Sequence, residues 1–186
     1  SIFLDVDAFA ELMQRWVPDA RDILEVGCGE GTITEKIARL YPRARITAID
    51  ITPKVGRLYC GRSDGVEFLQ STVQAVAAAH PRRFDFILLS DVLHHVTDAL
   101  RADILDSIGR SLAPGGSFLF KDWEHGATPI HWMCHAGDRW LTGDRVRYLC
   151  EGEADGLIAS ALPDAVIADV ARIAPWRNNF AMLIRA

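Results

Sequence analysis

The sequence has no apolar run that approaches the roughly 20 residues of a membrane-spanning helix, so no membrane span is predicted. It also has little excess of either charge. The net charge is −5, and Arg82 and Arg83 form the only pair of adjacent arginines. Because a nucleic-acid backbone is bound by a basic patch or stripe, we expect no nucleic-acid partner.

Cysteine is scarce and scattered. The chain has four cysteines and no C-x-x-C pair, at Cys28, Cys60, Cys134 and Cys150. This spacing is typical of reduced thiols in a cytoplasmic protein rather than of a disulfide framework or a zinc knuckle. Hydrophobic residues make up 49% of the 186 residues, which is enough for a substantial core. We therefore expect a single domain over 1–186, in which 122–152 forms a lid or insert on the substrate side.

Three glycines at alternate positions follow a short apolar strand. The predicted strand Asp22–Val26 leads into Gly27, Gly29 and Gly31, and a helix-compatible run begins at Thr32. Such a turn can adopt positive φ and bring main-chain N–H groups against a polar or anionic part of a ligand. The spacing G-x-G-x-G differs from the G-x-G-x-x-G of dinucleotide-binding folds, which disfavours a nicotinamide oxidoreductase. A tight turn that binds no ligand remains the alternative.

Predicted strands and helices alternate along most of the chain. The strands are expected at Asp22–Val26, Arg45–Asp50, Val66–Leu69, Phe84–Ser90 and Ser117–Lys121. Helices are expected at Asp7–Val17, Thr32–Leu40, Thr72–Ala79, Asp98–Leu112 and Glu153–Leu162, with one more whose N-cap is Thr128. A terminal hairpin joins Val166–Ala174 to Phe180–Arg185. This order predicts an α/β, doubly wound, mostly parallel seven-stranded sheet with helices on both faces and an antiparallel strand near the C-terminus.

Polar residues gather at the predicted carboxyl ends of these strands, where a doubly wound sheet binds its ligands. They are Glu25, Asp50, Ser71, Ser90 and Asp91. A carboxylate at the position of Asp50 can accept hydrogen bonds from both hydroxyls of a ribose. An exposed aspartate in a turn is the alternative for this residue.

Three motifs carry a resemblance to a known family. Residues 24–32 read LEVGCGEGT, residues 84–96 read FDFILLSDVLHHV, and residues 112–118 read LAPGGSF. In this order they resemble motif I, the fourth motif and the turn before the fifth strand of the class I S-adenosylmethionine-dependent methyltransferases. The resemblance implies a Rossmann-like methyltransferase fold, S-adenosyl-L-methionine as cofactor, and methyl transfer to an O, N or C nucleophile of a small molecule. An S-adenosylmethionine-binding protein with another or a lost activity is the alternative.

The resemblance also implies which residues bind the cofactor. They are Glu25, Gly27, Cys28, Gly29, Gly31, Thr32, Asp50, Ile51, Ser71, Thr72 and Ser90. Family members usually have an acidic residue for the adenine amino group at the end of strand three. Here the best match for that position is the neutral Ser71, for which an N-cap of the following helix is the alternative.

Candidates for a catalytic base lie in the fourth motif: Asp91, His94 and His95. A histidine suits proton transfer because its unperturbed pKa is near 6.5, although paired histidines can also only shape the cofactor pocket. Further along, His131 and His135 are four residues apart and could hold a metal. A surface or lid helix without a metal is the favoured interpretation of that pair, so no metal site is predicted.

Overall fold

A computed structural model describes residues 4–124 and 147–186 of the chain. Within these ranges there are seven strands: β1 (Asp22–Val26), β2 (Arg45–Asp50), β3 (Val66–Gln70), β4 (Phe84–Ser90), β5 (Leu112–Trp123), β6 (Val166–Ile173) and β7 (Asn179–Arg185). The helices are α1 (Val6–Trp16), α2 (Thr32–Leu40), α3 (Val73–Ala79), α4 (Asp98–Ser111) and α5 (Glu151–Ala161), with a 3₁₀ turn at Leu93–His95.

The strands form one sheet in the order β3-β2-β1-β4-β5-β7-β6. Strands β1 to β5 are parallel to one another, and β7 runs antiparallel to both β5 and β6. The predicted doubly wound, mostly parallel seven-stranded sheet is therefore confirmed. The chain extends the sheet in one direction from β1 to β3 and in the other from β4, so the strand order switches between β1 and β4. A crevice for a ligand is expected at the carboxyl ends of these strands.

Apolar residues cover both faces of the sheet. On one face α1 and α2 pack on β1, β4 and β5 through a cluster that includes Phe9, Met13, Ile37, Phe86 and Leu119. On the other face α3, α4 and α5 pack through a cluster that includes Val76, Leu105, Ile158, Ile87 and Phe118. Burial on both faces explains why β1 and β4 are continuous apolar runs in the sequence. None of the helices within the two described ranges has the length and apolar character to cross a membrane.

Strand β5 is longer than predicted. It begins at Leu112, which pairs with Phe84, and it includes the Pro-Gly-Gly sequence that was expected to be a turn. The register between β4 and β5 shifts between Phe84 and Phe86, and Gly115 has a φ of +72°. An irregularity with glycine at positive φ lets the strand continue past the proline.

The predicted insert lies mostly outside the described residues. The expected helix with Thr128 as its N-cap, and the pair His131 and His135, fall in 125–146, which the structure does not describe. Glu124 and the stretch 147–150 are described on either side of it. Helix α5 begins at Glu151 rather than Glu153, and the Glu153 carboxylate accepts a hydrogen bond from the Cys150 N–H at 3.0 Å.

Candidate functional site

The glycine turn after β1 presents main chain without side chains. Gly27 has a φ of +80° and Gly29 a φ of +52°, values that L-residues with a side chain adopt with strain. A Cβ at Gly27 would lie 2.2 Å from Cγ2 of Val92, so only glycine fits there. A Cβ at Gly29 would meet no atom within 4 Å, so the space above Gly29 is open. The turn is therefore closed beneath Val92 and accessible at Gly29.

Asp50 connects the tip of β2 to this turn. Its Oδ2 accepts a hydrogen bond from the Gly29 N–H at 2.8 Å, and its Oδ1 accepts one from the Thr52 N–H at 2.9 Å. Each carboxylate oxygen has two acceptor positions, so both can accept a further donor from a ligand. The main-chain bonds fix the direction of the carboxylate.

A cavity of about 410 Å³ opens between the tips of β1, β2 and β4, within the range of small-molecule sites. Five of the predicted cofactor-binding residues line it: Gly27, Asp50, Ile51, Ser71 and Thr72. Two of the predicted catalytic residues, Asp91 and His95, line it as well. Its apolar walls include Val92, Val96 and Leu100. The sequence thus predicted the polar groups of the cavity better than its apolar ones.

The other predicted residues lie around the cavity rather than in its lining. Cys28 is buried in the turn, and burial raises the pKa of its thiol, so this cysteine is a poor nucleophile. Thr32 begins α2 and is exposed, with Gly31 just before it. The Ser90 hydroxyl donates to Oδ2 of Asp91 at 3.1 Å. These residues can support the turn or the neighbouring Asp91.

Ser71 is not the N-cap of α3. Thr72 is the N-cap, and its hydroxyl oxygen accepts a hydrogen bond from the Ala75 N–H at 3.3 Å. The alternative role that the sequence left for Ser71 is therefore wrong. Ser71 lines the cavity one residue earlier, and its hydroxyl donates to the Thr72 carbonyl at 3.4 Å.

Glu25 lies buried beneath the glycine turn. Its side chain is 2% exposed, and its Oε2 has no hydrogen-bond partner among the described residues. The pKa of this carboxyl is raised to about 7, mainly by burial and to a smaller extent by the nearby charge of Asp50. Glu25 is therefore close to half protonated at neutral pH in the folded chain.

Replacing Glu25 by glutamine is expected to flatten the pH dependence of stability. The pKa of Glu25 is raised from 4.5 to about 7 in the folded state, so its contribution is fully present below pH 4.5 and is lost as the pH rises towards 7 and above. Between about pH 5 and 8 the wild-type free energy of unfolding should fall by about 2–3 kcal/mol relative to Glu25→Gln. Urea unfolding across that range measures this. The exposed Glu67→Gln is the control, and parallel curves for wild type and Glu25→Gln would contradict the expectation.

Lys121, near the end of β5, contacts Asp91 at the tip of β4. The Lys121 ammonium contacts both carboxylate oxygens of Asp91, at 2.7 and 2.8 Å. The Lys121 side chain is 1% exposed, whereas Asp91 is 39% exposed and has a φ of +58°. The Asp91 N–H also donates to the Lys121 carbonyl at 3.1 Å. These contacts hold Asp91 in a strained backbone conformation at the edge of the cavity.

His94 is oriented by the next residue of β5. Its Nδ1–H donates to Oδ1 of Asp122, which is fully buried. The His94 ring stacks on Tyr148 at 5.5 Å between centroids and lies 4.0 Å from the ring of His95. A carboxylate on Nδ1 fixes the tautomer and makes Nε2 the basic nitrogen. A carboxylate that orients a histidine in this way is what a general base requires.

The chain that follows the undescribed stretch returns to His94. The Arg147 N–H donates to the His94 carbonyl at 3.0 Å. The buried guanidinium of Arg101 donates to the carbonyls of Leu93 at 2.9 Å and Arg147 at 2.7 Å. Arg101 therefore fastens the 3₁₀ turn to the returning chain and keeps Tyr148 against His94.

Ligand atoms of Asp91, His94 and Asp122 lie within 4.8 Å of one another, close enough to be considered for a metal ion. The Lys121 ammonium already contacts both oxygens of Asp91. A second cation would have to displace it against like-charge repulsion. The donor set is accounted for more simply as the Lys121–Asp91 ion pair next to the hydrogen-bonded pair of His94 and Asp122.

Sequence reasoning missed Lys121, Asp122, Arg101 and Tyr148 as parts of this site. Lys121 and Asp122 could have been found, because they follow the apolar run of β5 next to β4, as Asp50 follows the apolar run of β2 next to β1. Nothing in the sequence marks Arg101 or Tyr148, since their roles depend on how the chain returns at 147.

The comparisons with known proteins agree with this geometry. Residues 23–116, slightly more than half of the chain, match a family described as "Methyltransferase domain". The chain belongs to the methyltransferase-domain family. This confirms the resemblance stated from the motifs. A ubiquinone biosynthesis O-methyltransferase of Xanthomonas campestris is 39% identical to this chain over 109 residues, which cover 56% of this chain and 44% of that protein.

Other relatives of this methyltransferase domain differ in length and similarity. An uncharacterized protein of Synechococcus is 40% identical over 149 residues, 76% of this chain and 35% of its own length. The chain thus spans less than half the length of these two relatives. An S-adenosylmethionine-dependent methyltransferase structure from Mesorhizobium loti aligns with a TM-score of 0.73 and 17% identity, covering 97% of this chain and 100% of that one. This likeness confirms the Rossmann-like methyltransferase fold.

Proposed function

We propose that this methyltransferase domain binds S-adenosyl-L-methionine and transfers its methyl group to an O, N or C nucleophile of a small molecule. The observation that carries the proposal is the Asp50 carboxylate at the tip of β2, held by the Gly29 N–H of the turn after β1, next to the point where the strand order switches. It faces the cavity of about 410 Å³. A ligand with a ribose and an amino-acid part can use both the carboxylate and the glycine turn.

The residues of the cavity fit this cofactor. The open space above Gly29 can admit an extended polar chain. Asp50 can accept hydrogen bonds from ribose hydroxyls. The apolar side chains of Val92, Val96 and Leu100 can cover the faces of an adenine ring, and Ser71 can meet its polar edge. This fit supports a cofactor role for all the predicted residues that line the cavity.

When bound, the cofactor supplies a methyl group on a positively charged sulfonium, which becomes a neutral thioether as the methyl leaves. The protein then has to position the acceptor, exclude water and hold the acceptor's proton. We assign proton acceptance to Nε2 of His94, because Asp122 orients that ring and can stabilise the charge it gains. Asp91 is less suited to this role, since the Lys121 ammonium contacts both of its oxygens. His95 is exposed and lines the cavity, which favours a role in shaping it.

The names of similar proteins support a small acceptor. The Xanthomonas relative is named an O-methyltransferase of ubiquinone biosynthesis. The N-methyltransferase NodS of Bradyrhizobium japonicum, solved with S-adenosyl-L-homocysteine, has the same fold at 20% identity, with a TM-score of 0.69 and coverage of 96% of this chain and 85% of that one. A hydroxyl or amine acceptor suits a histidine base.

The free thiols of Cys28, Cys60 and Cys150 accord with a reducing, cytoplasmic location.

Calorimetry and turnover together test this proposal. We expect S-adenosylmethionine and S-adenosylhomocysteine each to bind at one site with a Kd in the micromolar range. Cofactor with a labelled methyl group should then label at least one acceptor from a panel of phenols, catechols and small amines. Absence of binding at millimolar ligand would refute the cofactor assignment. Binding without transfer to any acceptor of the panel would favour a binding module without methyl-transfer activity.

A further inference from the structure

An ion pair with one buried partner lies at the edge of the cavity without a role in the chemistry assigned above. Asp91 lines the cavity, and Lys121 lies behind it with 1% of its side chain exposed. The Lys121 ammonium reaches the Asp91 carboxylate from β5, the strand next to β4. Burying a lysine ammonium is unfavourable unless it is paired. A lysine at this position in the sheet therefore calls for an explanation.

The cavity already contains a second carboxylate, that of Asp50, held by main-chain N–H groups. On the proposed function, the ligand changes from a cation to a neutral thioether during the reaction. In this ligand the sulfonium lies between the ribose, which we place at Asp50, and the amino-acid part, which we place at the glycine turn. Asp91 lines the same cavity as Asp50 and Gly27. An unbalanced anion at Asp91 would stabilise the charged ground state more than the transition state, in which the positive charge is dispersing. Such an interaction tightens binding and slows the reaction.

We propose that Lys121 is a positioning residue that also balances the charge of Asp91, so that the cavity does not over-stabilise the positively charged cofactor. The inference rests on the proposed function and deepens it. Lys121 keeps the Asp91 carboxylate in place at the cavity edge and cancels most of its field there. The cavity thereby retains the Asp91 carboxylate as a hydrogen-bond acceptor, but it does not bind the charged cofactor much more tightly than the neutral product.

The test compares two ligands that differ by one methyl group and one charge. The measured quantity is the Kd for S-adenosylhomocysteine divided by the Kd for S-adenosylmethionine, from calorimetry on the full chain. Lys121→Met, of similar length, should raise this ratio roughly tenfold, the size expected for one unit charge about 12 Å from the sulfonium at an effective dielectric of about 20. Asp91→Asn leaves the buried ammonium unbalanced and should lower the ratio by a similar factor. The kcat of Lys121→Met should fall as its ratio rises.

The double variant Lys121→Met/Asp91→Asn removes both charges and should return the ratio to within about threefold of the wild-type value. A purely structural role would weaken both ligands in parallel, because every contact except the methyl group is shared, and the ratio would stay constant in all three variants. That outcome overturns the inference. If a single variant does not fold, thermal melting identifies it, and the remaining single variant and the double variant still give the predicted signs. Failure of wild type to bind either ligand would instead refute the proposed function.

Discussion

Replacing His94 by asparagine is expected to lower kcat by about 10²–10⁴-fold, the usual contribution of a general base. The affinity for S-adenosylhomocysteine should change little, because His94 does not line the cavity where we place the cofactor. Asparagine keeps a polar group near Asp122 but cannot take up a proton. Steady-state rates with an identified acceptor, together with calorimetry on the product, measure the two quantities separately.

Two variants control for this prediction. His80→Asn changes an exposed histidine at the end of α3 and should leave kcat unaltered. Asp122→Asn keeps the size of the orienting residue but removes the charge that would stabilise a protonated His94. It should also lower kcat and alter the pH profile. If His94→Asn retains full kcat while Asp91→Asn abolishes it, then proton acceptance has been assigned to the wrong residue.

Replacing Asp50 by alanine is expected to weaken S-adenosylhomocysteine binding by about 100-fold or more, because it removes the partner of both ribose hydroxyls. Each hydrogen bond from a ribose hydroxyl to a carboxylate is worth roughly 1.5–3 kcal/mol. Part of the loss could arise within the protein, because Asp50 also accepts hydrogen bonds from the N–H groups of Gly29 and Thr52. Calorimetry gives the total effect. Asp64→Asn, which changes an exposed aspartate, is the matched control.

A second ligand separates the ribose contact from this effect on the glycine turn. The analogue of S-adenosylhomocysteine that lacks the ribose 2′-hydroxyl should bind wild type about tenfold more weakly than the parent ligand. In Asp50→Ala the two ligands should bind with nearly equal affinity, since the partner of the hydroxyl is gone. An undiminished preference for the hydroxyl in Asp50→Ala would show that another group binds the ribose.

The sequence predicted the sheet, and placed polar residues together at one of its edges, for a physical reason. Strands buried on both faces are continuous apolar runs, and the first polar residue after each run marks the edge where parallel strands end together. Gly27 and Asp50 could therefore be placed near each other without knowing any contact. The same reasoning placed Ser71 at this edge, although it also suggested a capping role that belongs to Thr72.

The acceptor side was harder to predict because it depends on contacts between distant segments. The histidines of the fourth motif were visible in the sequence, but their different surroundings were not. His94 is distinguished from His95 by Asp122, 28 residues later, and by Tyr148, which reaches it only through the returning chain at Arg147. Likewise, the ion pair with Lys121 distinguishes Asp91 from a general base, and a sequence motif does not reveal that pairing.

A crystal structure of the chain with S-adenosylhomocysteine is the most direct measurement of the central claim. The account predicts that the ligand lies in the cavity between β1, β2 and β4, with both ribose hydroxyl oxygens within hydrogen-bond distance of the Asp50 carboxylate and the amino-acid part along Gly27 and Gly29. A ligand bound elsewhere on the protein, or an Asp50 side chain that turns away from the ribose, would contradict it.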